Sequence, residues 1–318
     1  MKRKWIRRVS WILLTPVLLF VILMILLYIP PVQNLLRREV TAYASKATGM
    51  QIQVERIDLR FPLNLLVRGV EVIQQPDTLL SLESLNVRVQ AWPLVKGKVE
   101  VDEVTLSQVA FNSANLIEGM KIKGVLGRFF LQSHGVDLSN ELAVINQTEL
   151  SDTHVQMLMN DTTTTPKDTT ASAPVNWKVD LHKLKLKNVS FSMQLPADSM
   201  RMAAHIGEAF INDAQADLKN QFYELKQFLL SGSSANYDTG AAKPGEGFDA
   251  SHIAVRDIRI GLDSLLYKSR DMNAVIREFS MNERSGLSIT SLTGRAFSND
   301  SIIRIPGIKL QTPHSEID

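Results

Sequence analysis

The chain has 318 residues, 45% of them apolar and 21% charged, enough hydrophobic material for one or two folded domains, which argues against a disordered tail or a disulfide-stapled miniprotein. Cysteine is absent, so disulfides, thiolate metal sites and cysteine nucleophiles are excluded. The net charge of +2 conceals an asymmetry: Lys2, Arg3, Lys4, Arg7 and Arg8 crowd the first eight residues without an acid, and the other 30 bases face 33 acids. Nucleic-acid binding needs clustered Lys and Arg beyond this terminus, so no nucleic-acid partner is expected.

After the basic cluster, no charged residue occurs from Val9 to Leu36. The apolar stretch from Trp11 to Ile29 is long enough as a helix to cross about 30 Å of hydrocarbon, with Trp5 and Trp11 at one interface and Tyr28 at the other. Five bases on its N-terminal side place that end in the cytoplasm. The competing reading is a cleaved secretory signal, with an apolar region of about 7 to 15 residues ending at a small-x-small site. This run is longer and ends in Pro30 and Pro31, and the nearest Ala-x-Ala, at Ala42 and Ala44, lies beyond Arg37, Arg38 and Glu39. Residues 1–30 are therefore read as a cytoplasmic basic tail and an uncleaved signal-anchor transmembrane helix in the inner (plasma) membrane, with the bulk of the chain outside the cytoplasm.

Residues 31–49 read as a short amphipathic helix, with Leu36, Val40, Tyr43 and Ala47 on one face and Gly49 as its stop. From Gln51 the period changes. Apolar residues fall at Ile52, Val54, Ile57 and Leu59, a spacing of 2, 3, 2, which returns at Leu65, Val67, Val70 and Val72 and at Leu80, Leu82, Leu85, Val87 and Val89. It runs longer in Val99, Val101, Val104, Leu106, Val109 and Phe111, repeats in Val179, Leu181, Leu184, Leu186, Val189 and Phe191, and recurs in Ile253, Val255, Ile258 and Ile260. Period 2 marks strands, and a step of 3 turns the next side chain to the wrong face unless a bulge or bend absorbs the extra residue. Charged residues fill the gaps, so the expectation is a mainly β fold: a curved, one-sided antiparallel sheet over 50–318, wet on its other face.

Ala216 to Leu230 fits a helix through Leu218, Phe222, Leu225 and Leu229, or a strand through Tyr223, Leu225, Phe228 and Leu230; its neighbours favour the strand. Two low-complexity stretches, 160–176 and 231–250, read as flexible insertions between hairpins. Apolar sets at Leu287, Ile289 and Leu292 and at Ile302, Ile303, Ile305, Ile308 and Leu310 continue the strands to the C-terminus, and an open apolar edge there suggests the front part of a longer repeat.

No catalytic constellation emerges. The six histidines (His134, His154, His182, His205, His252 and His314) stand singly without metal-ligand spacing, no Gly-x-Ser-x-Gly elbow occurs, and Gly245-x-Gly247 follows a proline instead of a strand. Catalytic, cofactor-binding and metal residues are each expected to be none, and the chain is not read as an enzyme.

The opening phrases Gln51-Ile-Gln-Val-Glu-Arg-Ile-Asp-Leu and Leu65-Leu-Val-Arg-Gly-Val-Glu-Val follow a basic tail, an anchor and a short helix. Next comes Leu85-Asn-Val-Arg-Val-Gln-Ala-Trp-Pro-Leu-Val-Lys-Gly-Lys-Val-Glu-Val, and the end carries Glu283-Arg-Ser-Gly-Leu-Ser-Ile-Thr-Ser-Leu and Leu310-Gln-Thr-Pro-His-Ser-Glu-Ile. This arrangement resembles the AsmA-like and TamB family of the diderm cell envelope. The resemblance implies an inner-membrane protein with a long periplasmic, taco-like β-groove. Family members are associated with phospholipid movement to the outer membrane and with translocation and assembly of outer-membrane proteins and autotransporters beside a barrel partner of the BamA or TamA type. On that reading the partners are the inner membrane, phospholipid acyl chains and such a barrel, and the groove lining is the repeated points Ile52 to Leu59, Val99 to Phe111, Val179 to Phe191 and Ile253 to Ile260 named above. The alternative is an assembly scaffold whose strand edges pair with unfolded substrates.

Overall fold

In the computed structural model the described residues are 29–60, 63–90, 93, 100–137, 141–160, 176–240 and 243–318. The proposed membrane span, Val99 and the centre of the first insertion lie outside them. No helix among the described residues is long and apolar enough to cross a membrane.

Helix α1 spans Pro30–Thr48. Its first helical position holds proline, whose missing N–H is unneeded there, and Gly49 ends it in the left-handed region at φ 69° with its N–H bonded to the Ser45 carbonyl at 3.0 Å. Among the described residues sixteen strands follow in one sheet. They are β1 (Gln51–Arg60), β2 (Asn64–Gln74), β3 (Asp77–Val89), β4 (Val101–Asn112), β5 (Met120–Asp137), β6 (Leu142–Met159), β7 (Lys178–Leu195), β8 (Met200–Asp217), β9 (Phe222–Asp238), β10 (His252–Lys268) and β11 (Asp271–Glu283), then the short β12 (Ser288–Ile289), β13 (Ser291–Ser298), β14 (Ile303–Arg304), β15 (Lys309–Gln311) and β16 (Glu316–Ile317). Strands β1 to β11 lie side by side in chain order, and β13, β15 and β16 continue the path. The sheet does not close: β1 and β16 are its two edges. Strands β5 to β8 each hold 18 residues, about 60 Å of extended chain.

One expectation is corrected. The sheet is mixed, because β6 and β7 run parallel while every other neighbouring pair is antiparallel. Leu142 pairs with Lys178 and Leu158 with Gln194, so β7 starts at the same end of the sheet as β6. Period-2 spacing says which face a side chain takes and nothing about strand direction. A second correction concerns the stretch read as an insertion over 231–250: β9 runs on through Asp238, so the first eight residues of that stretch are strand, and β10 begins at His252. The small residues there belong to the strand because Ser233, Ala235 and Tyr237 continue the strand's alternation opposite Ile258, Val255 and Ile253. Asp249 organises the remaining turn, accepting the N–H groups of Gly245 and Ser251 at 3.2 and 2.9 Å and facing His252 Nδ1 at 2.9 Å. The ambiguous stretch resolves as β8, a turn at Leu218 to Gln221, and then β9, with Tyr223, Leu225, Phe228 and Leu230 on one face.

Substantial contacts among the described residues join only α1 to β1 and each strand to its neighbours in the sheet. Among the described residues there is no second layer. As a result no side chain among them is wholly shut off from solvent, and the buried apolar positions, such as Ile57, Leu82, Val109 and Ala209, are covered by their own strand neighbours.

The apolar face as candidate functional site

Register pairing lets each side chain be traced across the sheet. Starting from Ile57, successive cross-strand partners are Val67, Leu85, Leu106, Phe129, Leu150, Leu186, Ala209, Leu230, Ile260 and Phe279. Eleven strands contribute, and every member is apolar. A second row starts at Leu59 and passes through Leu65, Val87, Val104, Leu131, Thr148, Leu184, Ile211, Phe228 and Leu262 to Ile276. A third, from Ile52, runs through Val72, Leu80, Phe111, Gly124, Val155, Phe191, Ala204, Ala235 and Val255 and ends at Glu283 on β11. Partners in register share a face. These rows therefore form one unbroken apolar surface, free of ionisable groups in the three rows from β1 to β10.

The steps of three are the reason this surface stays continuous. Two residues in a row face outward at each step, and an αL backbone conformation restores the alternation. Gly69 (φ 59°), Gln108 (φ 50°), Asp152 (φ 50°), Asn188 (φ 53°), Gly232 (φ 60°) and Asp257 (φ 57°) occupy it on β2, β4, β6, β7, β9 and β10. Glycine meets no Cβ penalty in αL, and Asn and Asp are among the residues that tolerate it best. An isolated bulge sets two residues against one and breaks register. Here the partners bend at the same level, so from β1 to β9 pairing continues one to one across the bend.

The result is a crease crossing the sheet, and close approach along it dictates small residues. A Cβ on Gly127 would lie 2.7 Å from the Asp152 Cβ, and one on Gly207 would lie 2.5 Å from the Gly232 carbonyl oxygen. Asn188 Nδ2 donates to Asp152 Oδ1 at 2.8 Å across the parallel pair, and Asn282 Nδ2 donates to Asp257 Oδ2 at 3.1 Å. A second, less regular crease passes Asp213 (φ 46°) on β8. There His182 Nδ1 lies 3.1 Å and Lys226 Nζ 3.7 Å from the Asp213 carboxylate. The hydrogen bond from His182, reinforced by the charge of Lys226, holds the Asp213 carboxyl below the usual carboxylate range.

Of the expected lining residues, Ile52, Val54, Ile57, Leu59, Val101, Val104, Leu106, Val109, Phe111, Val179, Leu181, Leu184, Leu186, Val189, Phe191, Ile253, Val255, Ile258 and Ile260 lie at register positions of this one face. Only Val99 falls outside the described residues. Strands β5, β6, β8 and β11 were missed as contributors. The signal was there in disguise: Ala143, Ile145, Thr148, Leu150, Thr153 and Val155 on β6 keep the same 2, 3, 2, 3, 2 spacing, with two threonines in apolar places. On β8 four of the six points from Ala204 to Ala216 are alanine.

The opposite face carries the expected charge pairs, among them Arg88 with Glu103 at 2.5 Å and Lys178 with Asp217 at 3.3 Å, both in cross-strand register. It is not uniformly polar, however. The row running from Asp58 includes Leu66, Phe130, Phe210 and Leu229, and the Arg128 guanidinium lies 5.9 Å from the centre of the Phe130 ring. Glu283, at the end of the third row, is buried, and its carboxylate accepts the N–H groups of Ser285 at 2.6 Å and Ala254 at 3.3 Å. The Ser285 bonds hold it below its ordinary range. It staples the turn that follows β11. No group of three His, Asp or Glu side chains able to hold a metal occurs among the described residues. No protein-family model and no curated protein matches the chain.

Proposed function

We propose that this chain is a non-enzymatic, inner-membrane-anchored periplasmic protein similar to the AsmA-like and TamB proteins, whose uncovered apolar face carries phospholipid acyl chains between the two membranes and so supports outer-membrane biogenesis. One observation carries the reading: an apolar row in register across eleven strands with no layer of described residues over it. Water over such a surface is costly, and a cover must come from outside the chain. An acyl chain laid across the strands gains about 0.8 kcal/mol per buried methylene, so 16 carbons supply roughly 10 kcal/mol before ordering costs. Such a site needs no charged pocket, in keeping with rows free of ionisable groups from β1 to β10. The uncharged run before α1 supplies the anchor, and the folded curvature of the sheet into a groove belongs to this proposal.

A second reading, a strand-edge scaffold for outer-membrane proteins or autotransporters, is favoured by one feature only. The β1 edge is covered by α1, whereas the opposite end exposes Ile303, Ile317 and the short strands β14 and β16. Mass spectrometry of lipid co-purified with the full chain separates the two. Bound phospholipid in the wild type and none in a Val101→Asp/Val104→Asp double variant supports the conduit; equal lipid in both counts against it.

A further inference from the structure

Helix α1 is assembled the opposite way round from an ordinary surface helix, which turns its apolar stripe to the protein and its polar stripe to water. Here the protein-facing side is polar. Gln33 Nε2 donates to the Leu59 carbonyl at 3.2 Å, Arg37 Nη1 donates to the carbonyls of Val54 and Glu55 at 3.3 and 2.9 Å, and the Ser45 hydroxyl accepts the Ile52 N–H at 3.1 Å. All four backbone groups belong to β1, the edge strand, which has β2 on one side only. The helix thus satisfies an edge that would otherwise be open to pairing.

Three of its apolar side chains are left outside that contact. Tyr43 is 76% exposed, Leu35 58% and Val40 46%, and they lie on successive turns. Nothing among the described residues covers them. Two facts identify the cover. Helix α1 begins at Pro30, with no spacer after the uncharged run that starts at Val9. It also carries Arg37, Arg38 and Lys46 against the single acid Glu39, a balance suited to anionic headgroups.

We infer that α1 is an interfacial helix: Leu35, Val40 and Tyr43 enter the headgroup boundary of the bilayer while Gln33, Arg37 and Ser45 grip β1. The first strand of the apolar face is then held at the membrane surface, and a lipid leaving the bilayer meets Ile52, Val54 and Ile57 first. This rests on the reading that residues 9–29 lie in a membrane, and the test separates the two claims.

The chain has no cysteine, so single-cysteine variants can be labelled cleanly with the environment-sensitive dye NBD. Leu35→Cys and Tyr43→Cys report on α1, Phe20→Cys on the apolar run, and Ile303→Cys, at a position 77% exposed, on water. The full chain is reconstituted in vesicles of phosphatidylethanolamine and phosphatidylglycerol with or without spin-labelled lipid. The expected result is blue-shifted emission at 35 and 43, quenched at least twofold by the spin-labelled lipid, with position 303 unshifted and unquenched. Emission at 35 and 43 matching that at 303 while position 20 is quenched overturns the interfacial helix and leaves the anchor standing. A blue shift at 35 and 43 without lipid quenching assigns the cover to protein and also overturns it. Loss of quenching at all three positions removes the membrane anchor as well.

Discussion

Placing a carboxylate on the apolar face distinguishes a lipid-carrying surface from an ordinary sheet face. Val104 and Leu184 belong to one row and are separated by Leu131 and Thr148, so three strand spacings, about 14 Å, lie between them. A single acyl chain laid along the row covers both. In the unliganded protein the two side chains are half-exposed, so an aspartate at either place reaches water and lowers stability by about 1 kcal/mol or less. With a chain bound, the same carboxylate faces hydrocarbon and forfeits contact with three or four methylenes, about 3 kcal/mol, or roughly 100-fold in affinity. At 14 Å separation the two effects add, to about 6 kcal/mol of the roughly 10 available. The assay is partition of a pyrene-labelled 16-carbon lipid onto the full chain in nanodiscs, corrected for empty nanodiscs, with circular dichroism and urea midpoint as controls for folding. Thr105→Asp, one residue from Val104 and in register with Asn86 and Phe130 on the other face, should leave partition unchanged. Equal loss in Thr105→Asp and Val104→Asp, or full binding in the Val104→Asp/Leu184→Asp protein, would refute the reasoning.

The crease and the helix supply further tests. Gly207→Ala should lower stability by about 1–3 kcal/mol, read as a fall in urea midpoint, because the new Cβ meets the Gly232 carbonyl oxygen; Gly245→Ala, whose new Cβ meets only Asp249 Oδ2 at an ordinary 3.9 Å, should be near neutral. Asn188→Val forces a β-branched residue into αL and should cost about 1–2 kcal/mol, whereas Asn188→Gly should lose only the bond to Asp152. Arg37→Ala frees the Val54 and Glu55 carbonyls on the edge strand, and sedimentation velocity should then show association absent from the wild type. Asp213 has a folded pKa below its unfolded value of about 3.9, so its contribution is present at neutral pH and lost as pH falls through the folded value. Asp213→Asn, which keeps a residue suited to αL, should remove part of the drop in urea midpoint below pH 4 and change little at pH 7.

Much of the apolar face could be read from residue spacing, because period 2 with a step of 3 is a geometric instruction that survives any choice of Val, Ile, Leu or Phe. The residues that execute the step were also visible: Gly69, Asn188, Gly232 and Asp257 immediately precede Val70, Val189, Ser233 and Ile258, where αL is needed. What spacing could not show was that all the steps fall at one level, since that depends on hairpin lengths and emerges only from register. Strand β6 escaped notice because Thr148 and Thr153 stand where neighbours have Leu and Val. The parallel β6–β7 pair escaped because face and direction are independent. For α1 the apolar periodicity was plain, yet its side toward the protein is set by edge-strand carbonyls that seek donors, a demand that belongs to β1 and not to the helix.

The central claim is that one surface, from β1 to β11, is lipid-lined in the living cell. Photocrosslinking tests it most directly, with a benzophenone amino acid placed in turn at Ile57, Leu106, Leu186 and Ile260 and, on the opposite face of the same strands, at Asp58, Thr105, Lys185 and Arg259. Phospholipid adducts at all four apolar positions and at none of the four outer ones are the predicted result. Adducts on both faces alike, or at none of the apolar positions, would contradict it.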